Sequence, residues 1–482
     1  MLFYLLIFVG LILLTGSLLV LKSFTMKFNE LIGMTIIVIS LILIAAGSIF
    51  IPQDIGVYLL SIGIFLFIVG FIYLLFKPFH FVNLTGLLLF GAAIIISTIV
   101  ISINYCNSNL WVFGDNEFGQ LGDGTTTDRS VPINLTNMIG IKAADAGGYH
   151  TLALNVNGTA WGFGKNNYGQ LGNGSNIDSS LPVLVKTEQR FIALSAGLNH
   201  SLALDRDGNV WAWGANDVGQ LVASTQVSFN KPFRMEAISD IIAISAGAKH
   251  SLALDNQGKV WAWGYNEQGQ LGNNSTVNSS IPVSVMLPVP IKSIAAGANH
   301  SMALDEEGNL WVWGDNSYGQ LGDGSLTNRL SPVKLDTINK ITSLAAGENH
   351  SVALDVNKKV WAFGGNKDGQ LGNGTEFDIS LPVPVIAEDD IVAIGAGGYH
   401  SFYVTEEGNL YTFGVNEQGQ LGDNTNTMQR TPVFVTHPVD AAYATGGMGH
   451  SIAIEEYTPV PLIPAIIIVA ILLLLGLFLV WL

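Results

Sequence analysis

Hydrophobic and polar positions change rhythm twice along this chain of 482 residues. Four almost unbroken apolar runs open it: Met1–Leu21, Leu31–Ile51, Ile55–Phe76 and Phe81–Ile103. A fifth, Ile463–Leu482, closes it. Each has about the 20 residues that a helix needs to cross a hydrocarbon core, and none holds a charged residue. Between them the pattern shortens to strand-length alternation. His200-Ser201-Leu202-Ala203-Leu204 leads into the turn Asp205-Arg206-Asp207-Gly208, and then into Asn209-Val210-Trp211-Ala212-Trp213-Gly214. Two β-prone runs around a glycine turn predict a hairpin.

That unit recurs with a period of fifty. The His of Gly-x-x-His-[Ser/Thr] falls at His150, His200, His250, His300, His350, His400 and His450. Gly-Gln-Leu begins at Gly119 and returns every fifty residues to Gly419. A proline recurs in the same way from Pro132 to Pro432. A third short strand, such as Ile241–Ser245, precedes each Gly-x-x-His, and a fourth is predicted after each proline. Four short strands per unit, seven times over, predict an all-β seven-bladed propeller. The first strand of the array, Asn109–Gly114, has no hairpin partner before it, and the last, Ser451–Glu455, has none after it. Open edges are a liability, so the two are expected to pair and close the ring. The expected organisation is therefore four transmembrane helices in 1–103, the propeller in 104–458 and a C-terminal transmembrane helix in 459–482.

Charge refines this picture. The net charge is −16, and only Lys22, Lys27, Lys77, Glu30 and Asp54 among the acidic and basic residues precede residue 104. The repeat region therefore carries essentially all of the negative charge, which repels a phosphate backbone and argues against nucleic acid as a partner. The lysines lie in alternate loops between the apolar runs. The excess of basic residues in cytoplasmic loops then predicts a multi-pass cell-membrane protein with its propeller outside. The runs carry no ionisable group that would mark ion traffic, so packed anchoring helices are expected. The single cysteine, Cys106, allows no intramolecular disulfide and no cysteine-based zinc site.

Trp311-Val312-Trp313-Gly314-Asp315-Asn316-Ser317-Tyr318-Gly319-Gln320-Leu321-Gly322, continued through Pro332 to Ala345-Ala346-Gly347-Glu348-Asn349-His350-Ser351, resembles the repeat of the regulator of chromosome condensation. The resemblance spans about residues 109–455. It implies a propeller that binds other proteins. The founding member of that family exchanges nucleotide on a small GTPase through a wedge inserted in one blade; here every unit is fifty residues long and has no room for one. A plant photoreceptor of the family has Trp and Arg inside Gly-x-x-His, where this chain has neither. A secreted inhibitor of β-lactamase with the same repeat binds protein without catalysis. Unit three departs most from the pattern, with Val222 in place of glycine, and Lys358 replaces the turn glycine of another unit.

The candidate chemistry is sparse. Seven regularly spaced histidines on seven blades cannot converge on one metal ion, so structural hydrogen bonds are expected of them. The tryptophans alternate along strands as packing residues do. Asp123-Gly124 and Asp323-Gly324 lack the spacing of a calcium loop and read as turns. No unit breaks the symmetry with a His, Ser and carboxylate cluster, so no catalytic residue, cofactor or metal is expected. What varies is the pair inside Gly-x-x-His. Tyr149, Asn199, Lys249, Asn299, Asn349 and Tyr399 are the candidate binding residues, Tyr and Asn being suited to adaptable contact. The expected function is a membrane-anchored binding or adhesion module for a protein, or for a glycan. The alternatives are an extracytoplasmic carbohydrate-processing enzyme and the sensor of a membrane signalling or transport protein.

Overall fold

A computed structural model describes residues 110–455, apart from 139, 222–225, 388–389 and 439. The compact unit that contains them runs from Ser108 to Tyr457. The described residues form 28 strands in seven four-stranded antiparallel sheets. One sheet shows the plan of all. Ile241–Ala246 is innermost and pairs with His250–Asp255; Val260–Gly264 comes next, and Ser279–Ser284 is outermost. In the two middle strands nearly every residue is buried, because a neighbouring blade covers each face. The outermost strand, with one edge and part of its faces in solvent, is only half-buried.

Each inner strand lies beside the inner strands of the two adjacent blades, and the seven form a closed circle. The closing blade takes Ala441–Gly446 and His450–Glu455 from the end of the array and Leu110–Gly114 and Arg129–Asn134 from its start. Leu110 faces Ile454 and Gly114 faces His450, so the expected pairing of the first and last strands is present. The core is distributed as seams between blades. In one seam Leu252, Leu254, Val260 and Ala262 meet Ala303 and Trp313 of the next blade. Trp213, Trp263 and Trp313 are fully buried, and each indole Nε1–H donates to a carbonyl of the preceding blade, Gln170, Gln220 and Gln270, at 2.7–2.9 Å. The partly buried Trp211, Trp261, Trp311 and Trp361 instead donate to Asp205, Asp255, Asp305 and Asp355 within their own hairpins.

The loss of glycine at Lys358 predicts a looser turn, and the structure differs. Lys358 adopts φ of 63°, its amide donates to Asp355 O at 3.0 Å, and this matches the bond from Gly258 to Asp255 O. The turn is as tight as those built on glycine. Val222 of unit three and the five apolar runs expected to be transmembrane helices lie outside the described residues.

Candidate recognition face

The seven Gly-x-x-His loops gather on one face of the disc. Leu110 and Glu455, the first and last described residues, lie at the other, since their strands run from that side to His450 and Gly114. Beneath the loops a belt of side chains ties blade to blade. His150 Nε2 lies 3.0 Å from Ser201 Oγ of the next blade, and the pattern continues at 2.8–3.0 Å round to His450 and Thr151. Each hydroxyl donates its one proton to a Gln carbonyl, as Ser201 does to Gln170 O at 2.8 Å. It can then only accept from the imidazole, which fixes the neutral tautomer protonated on Nε2. Burial holds the seven histidines at a pKa of about 3 or 4, far below the usual 6.5.

Above this belt the backbone makes its own circle. The amide after each repeated glycine donates to a carbonyl of the neighbouring blade, from Gly148 N to Gly197 O through to Met448 N to Gly148 O, at 2.8–3.3 Å. The circle surrounds an axial cavity of ≈ 90 Å³, lined by an Ala-Gly pair at the end of six inner strands, Gly446-Gly447 at the seventh, and the first residue of each variable pair. Those first residues include Leu198, Glu348 and Met448. Burial raises the pKa of Glu348.

Six of the seven second residues of the pairs are those named from sequence, and all six are half-exposed on this face; the seventh is Gly449. They sit round a ring; five lean on the loop of the preceding blade and Asn349 on a loop of its own. Tyr149 meets Phe118 edge-on at 5.5 Å, with Lys165 Nζ 4.6 and 4.9 Å from the two ring centres. Asn199 and Asn299 accept from Gln170 and Gln270 at 3.5 and 3.4 Å. Lys249 pairs with Asp217 at 2.8 Å. Asn349 packs over Gly365. The Tyr399 hydroxyl has a raised pKa, first from burial and then from Glu348 and Asp368 nearby. The geometry does not bring the six to one point. It places the cavity-lining set, Leu198, Glu348 and Met448, nearer the axis, and sequence reasoning passed over that set. The signal was present, because in the same column the other units carry only glycine or alanine.

A model of the RCC1-like domain matches residues 107–453. The chain belongs to the RCC1-like domain family. No curated protein matches the sequence. Among solved structures, human WBSCR16 superposes with a TM-score of 0.66 at 24% identity, covering 72% of this chain and 99% of that one. Prp20p of Saccharomyces cerevisiae, described with its binding to Gsp1p and histones, gives 0.62 at 24%, covering 72% and 92%. The yeast RCC1 (Prp20) bound to Kap60 gives 0.63 at 23%, covering 73% and 90%. These likenesses establish the propeller fold of this RCC1-like domain.

They also correct the expected location. The sequence reading placed a multi-pass protein in the cell membrane with its propeller outside. The similar structures are RCC1-like propellers such as WBSCR16 and the Prp20p that binds Gsp1p and histones. Among the described residues no helix is long and apolar enough to cross a membrane. The lysine alternation that supported the external placement rests on three residues, all outside the described part. An external cell-surface placement is therefore withdrawn.

Proposed function

We propose that this RCC1-like domain is a protein-binding module that works through the Gly-x-x-His face, without turnover. The loop between the third and fourth strands of each blade belongs to that face, because it starts beside the Gly-x-x-His loop and ends opposite the same residue, as Gly264 faces both His250 and Ser279. One observation carries the reading. On five consecutive blades these loops hold out an apolar side chain: Ile177, Val227, Val277, Leu326 and Phe377. Ile177 is 77% and Phe377 78% exposed. The two remaining blades have Thr127 and Thr427 at the tip. An apolar arc on an otherwise polar rim marks a contact surface for protein. Tyr149, Asn199, Lys249, Asn299 and Asn349 belong to the five blades of this arc and Tyr399 to the next, and they serve in this reading as adaptable contacts. The yeast relative bound to Kap60 shows the fold in a protein complex, which supports the same reading.

The test compares the full chain with two variants in quantitative cross-linking and capture. One carries Ile177→Ser, Val277→Ser and Phe377→Ser together. The other carries Val156→Ser and Val356→Ser, exposed apolar residues at hairpin turns of the opposite face. Partner recovery falls at least tenfold in the first and is unchanged in the second. Loss in the second with retention in the first overturns the proposal.

A further inference from the structure

We infer that the axial cavity receives a basic side chain, the ammonium of Lys or the guanidinium of Arg, presented by the protein partner and held by the Glu348 carboxylate. This rests on the protein-binding reading of the same face and names the chemistry at its centre. The cavity is ≈ 90 Å³ and opens on the face. Among the residues lining it, Glu348 alone is ionisable; the rest are glycine, alanine, Leu198 and Met448. The fold does not require an acid there. The equivalent residues of the other six blades are Gly148, Leu198, Ala248, Ala298, Gly398 and Met448, and the backbone circle closes through all of them.

The carboxylate has no hydrogen-bond or ion-pair partner among the described residues, while its own amide is taken up by Gly398 O at 3.0 Å. Burial destabilises its charged form. A half-buried carboxylate without a cation costs free energy that a desolvated cationic partner would offset. Its surroundings favour a cation further. Tyr399 feels Glu348, Asp368 and Tyr318 together. Asp368 is itself raised by burial and by Glu417, with Lys367 opposing and Glu376 adding least. Lys367 lies out over Tyr318, 6.0 Å from its ring centre. Deeper on the axis Asp145, next to the cavity-lining Ala146, accepts from Ser195 and Ala196 of one neighbouring blade and Thr445 of the other. Those donors are neutral and, as at Glu348, burial raises its pKa. The net charge of −16 gives the approach a negative sign.

The probe is a blocked pentapeptide, Gly-Ser-Arg-Ser-Gly, titrated calorimetrically into the full chain, with its citrulline counterpart and the Lys and acetyl-lysine pair beside it. The charged peptides bind at one site and the neutral ones at least tenfold more weakly. Glu348→Gln weakens the charged peptides at least tenfold. Glu117→Gln, an exposed carboxylate on the same face away from these groups, leaves them unchanged. Equal binding to the native chain and to Glu348→Gln, equal losses in both variants, or no binding at all overturns the inference. Partner capture by Glu348→Gln separates the two proposals. Recovery that survives Glu348→Gln but not the loss of the apolar tips leaves the face in place and removes the cation from the cavity.

Discussion

At the scale of single residues, Gly-x-x-His is a packing motif whose two fixed positions require each other. Gly297 has an ordinary negative φ, so conformational freedom does not explain it. A Cβ added there would stand 2.2 Å from His300 Cε1 and 2.7 Å from Gly347 O of the next blade. The imidazole lies against the glycine and reaches Ser351 Oγ at 2.9 Å. Neither the ring nor the carbonyl can retreat without giving up a bond that joins two blades. Gly297→Ala is therefore expected to cost about 1–3 kcal/mol, the usual range for overpacking a filled site. Urea unfolding of the full chain checks this through its midpoint. An unchanged midpoint would show that the seam is loose enough to absorb a methyl group, contrary to the packing described.

At the scale of the element, the loops that carry the apolar tips are built on buried asparagines. Asn266 is fully buried. Its Oδ1 accepts from Leu271 N at 2.9 Å, and its Nδ2 donates to Ser275 O, Val277 O and Asn273 Oδ1 at 3.0–3.2 Å. Asn266→Ala leaves a buried amide and two carbonyls without that partner, a loss of about 1–3 kcal/mol. Amide exchange of residues 266–279 should rise by at least an order of magnitude while the flanking strands keep their protection. Uniform exchange across the blade would show that the loop draws its order from elsewhere. Much of the blade was legible in the sequence, because strands advertise themselves by alternation and the period of fifty fixes their number. The ring closure was legible for the same reason, from two strands without hairpin partners. The asparagine's role was not, since a side chain that satisfies backbone groups across a loop leaves no periodicity. The site was half legible. Variation at Tyr149, Asn199 and Tyr399 stood out, but adjacent loop residues point in different directions, and only the fold shows that Glu348 and not Asn349 meets the axis.

At the scale of the whole molecule, the belt of seven histidines makes the ring sensitive to acid. Each is held neutral, with its pKa lowered to about 3 or 4 by burial, whereas in the unfolded chain it returns towards 6.5. Between these values the unfolded state binds protons that the folded state refuses. Stability is therefore complete above pH 6.5 and drains away as the pH falls towards 4. Each proton difference is worth about 1.4 kcal/mol per pH unit, so seven acting together reach about 10 kcal/mol per unit, enough to exhaust an ordinary domain's stability within one or two units. The carboxylates do not reproduce this. Asp123, Asp205, Asp305 and Asp323, whose pKa values are lowered, destabilise only below the carboxylate range. The raised Asp115, Asp145, Glu348 and Asp368 act in the opposite sense, binding protons preferentially in the folded state. Because every histidine bonds the next blade and the first and last strands share one sheet, a seam opened anywhere breaks the circle. Unfolding should remain a single transition whose urea midpoint drops steeply between pH 6.5 and 4.5. His300→Gln should reduce the slope of stability against pH by one proton of the seven. A flat profile over that interval would mean that the histidines titrate in the folded ring, and the belt of neutral imidazoles would have to be abandoned.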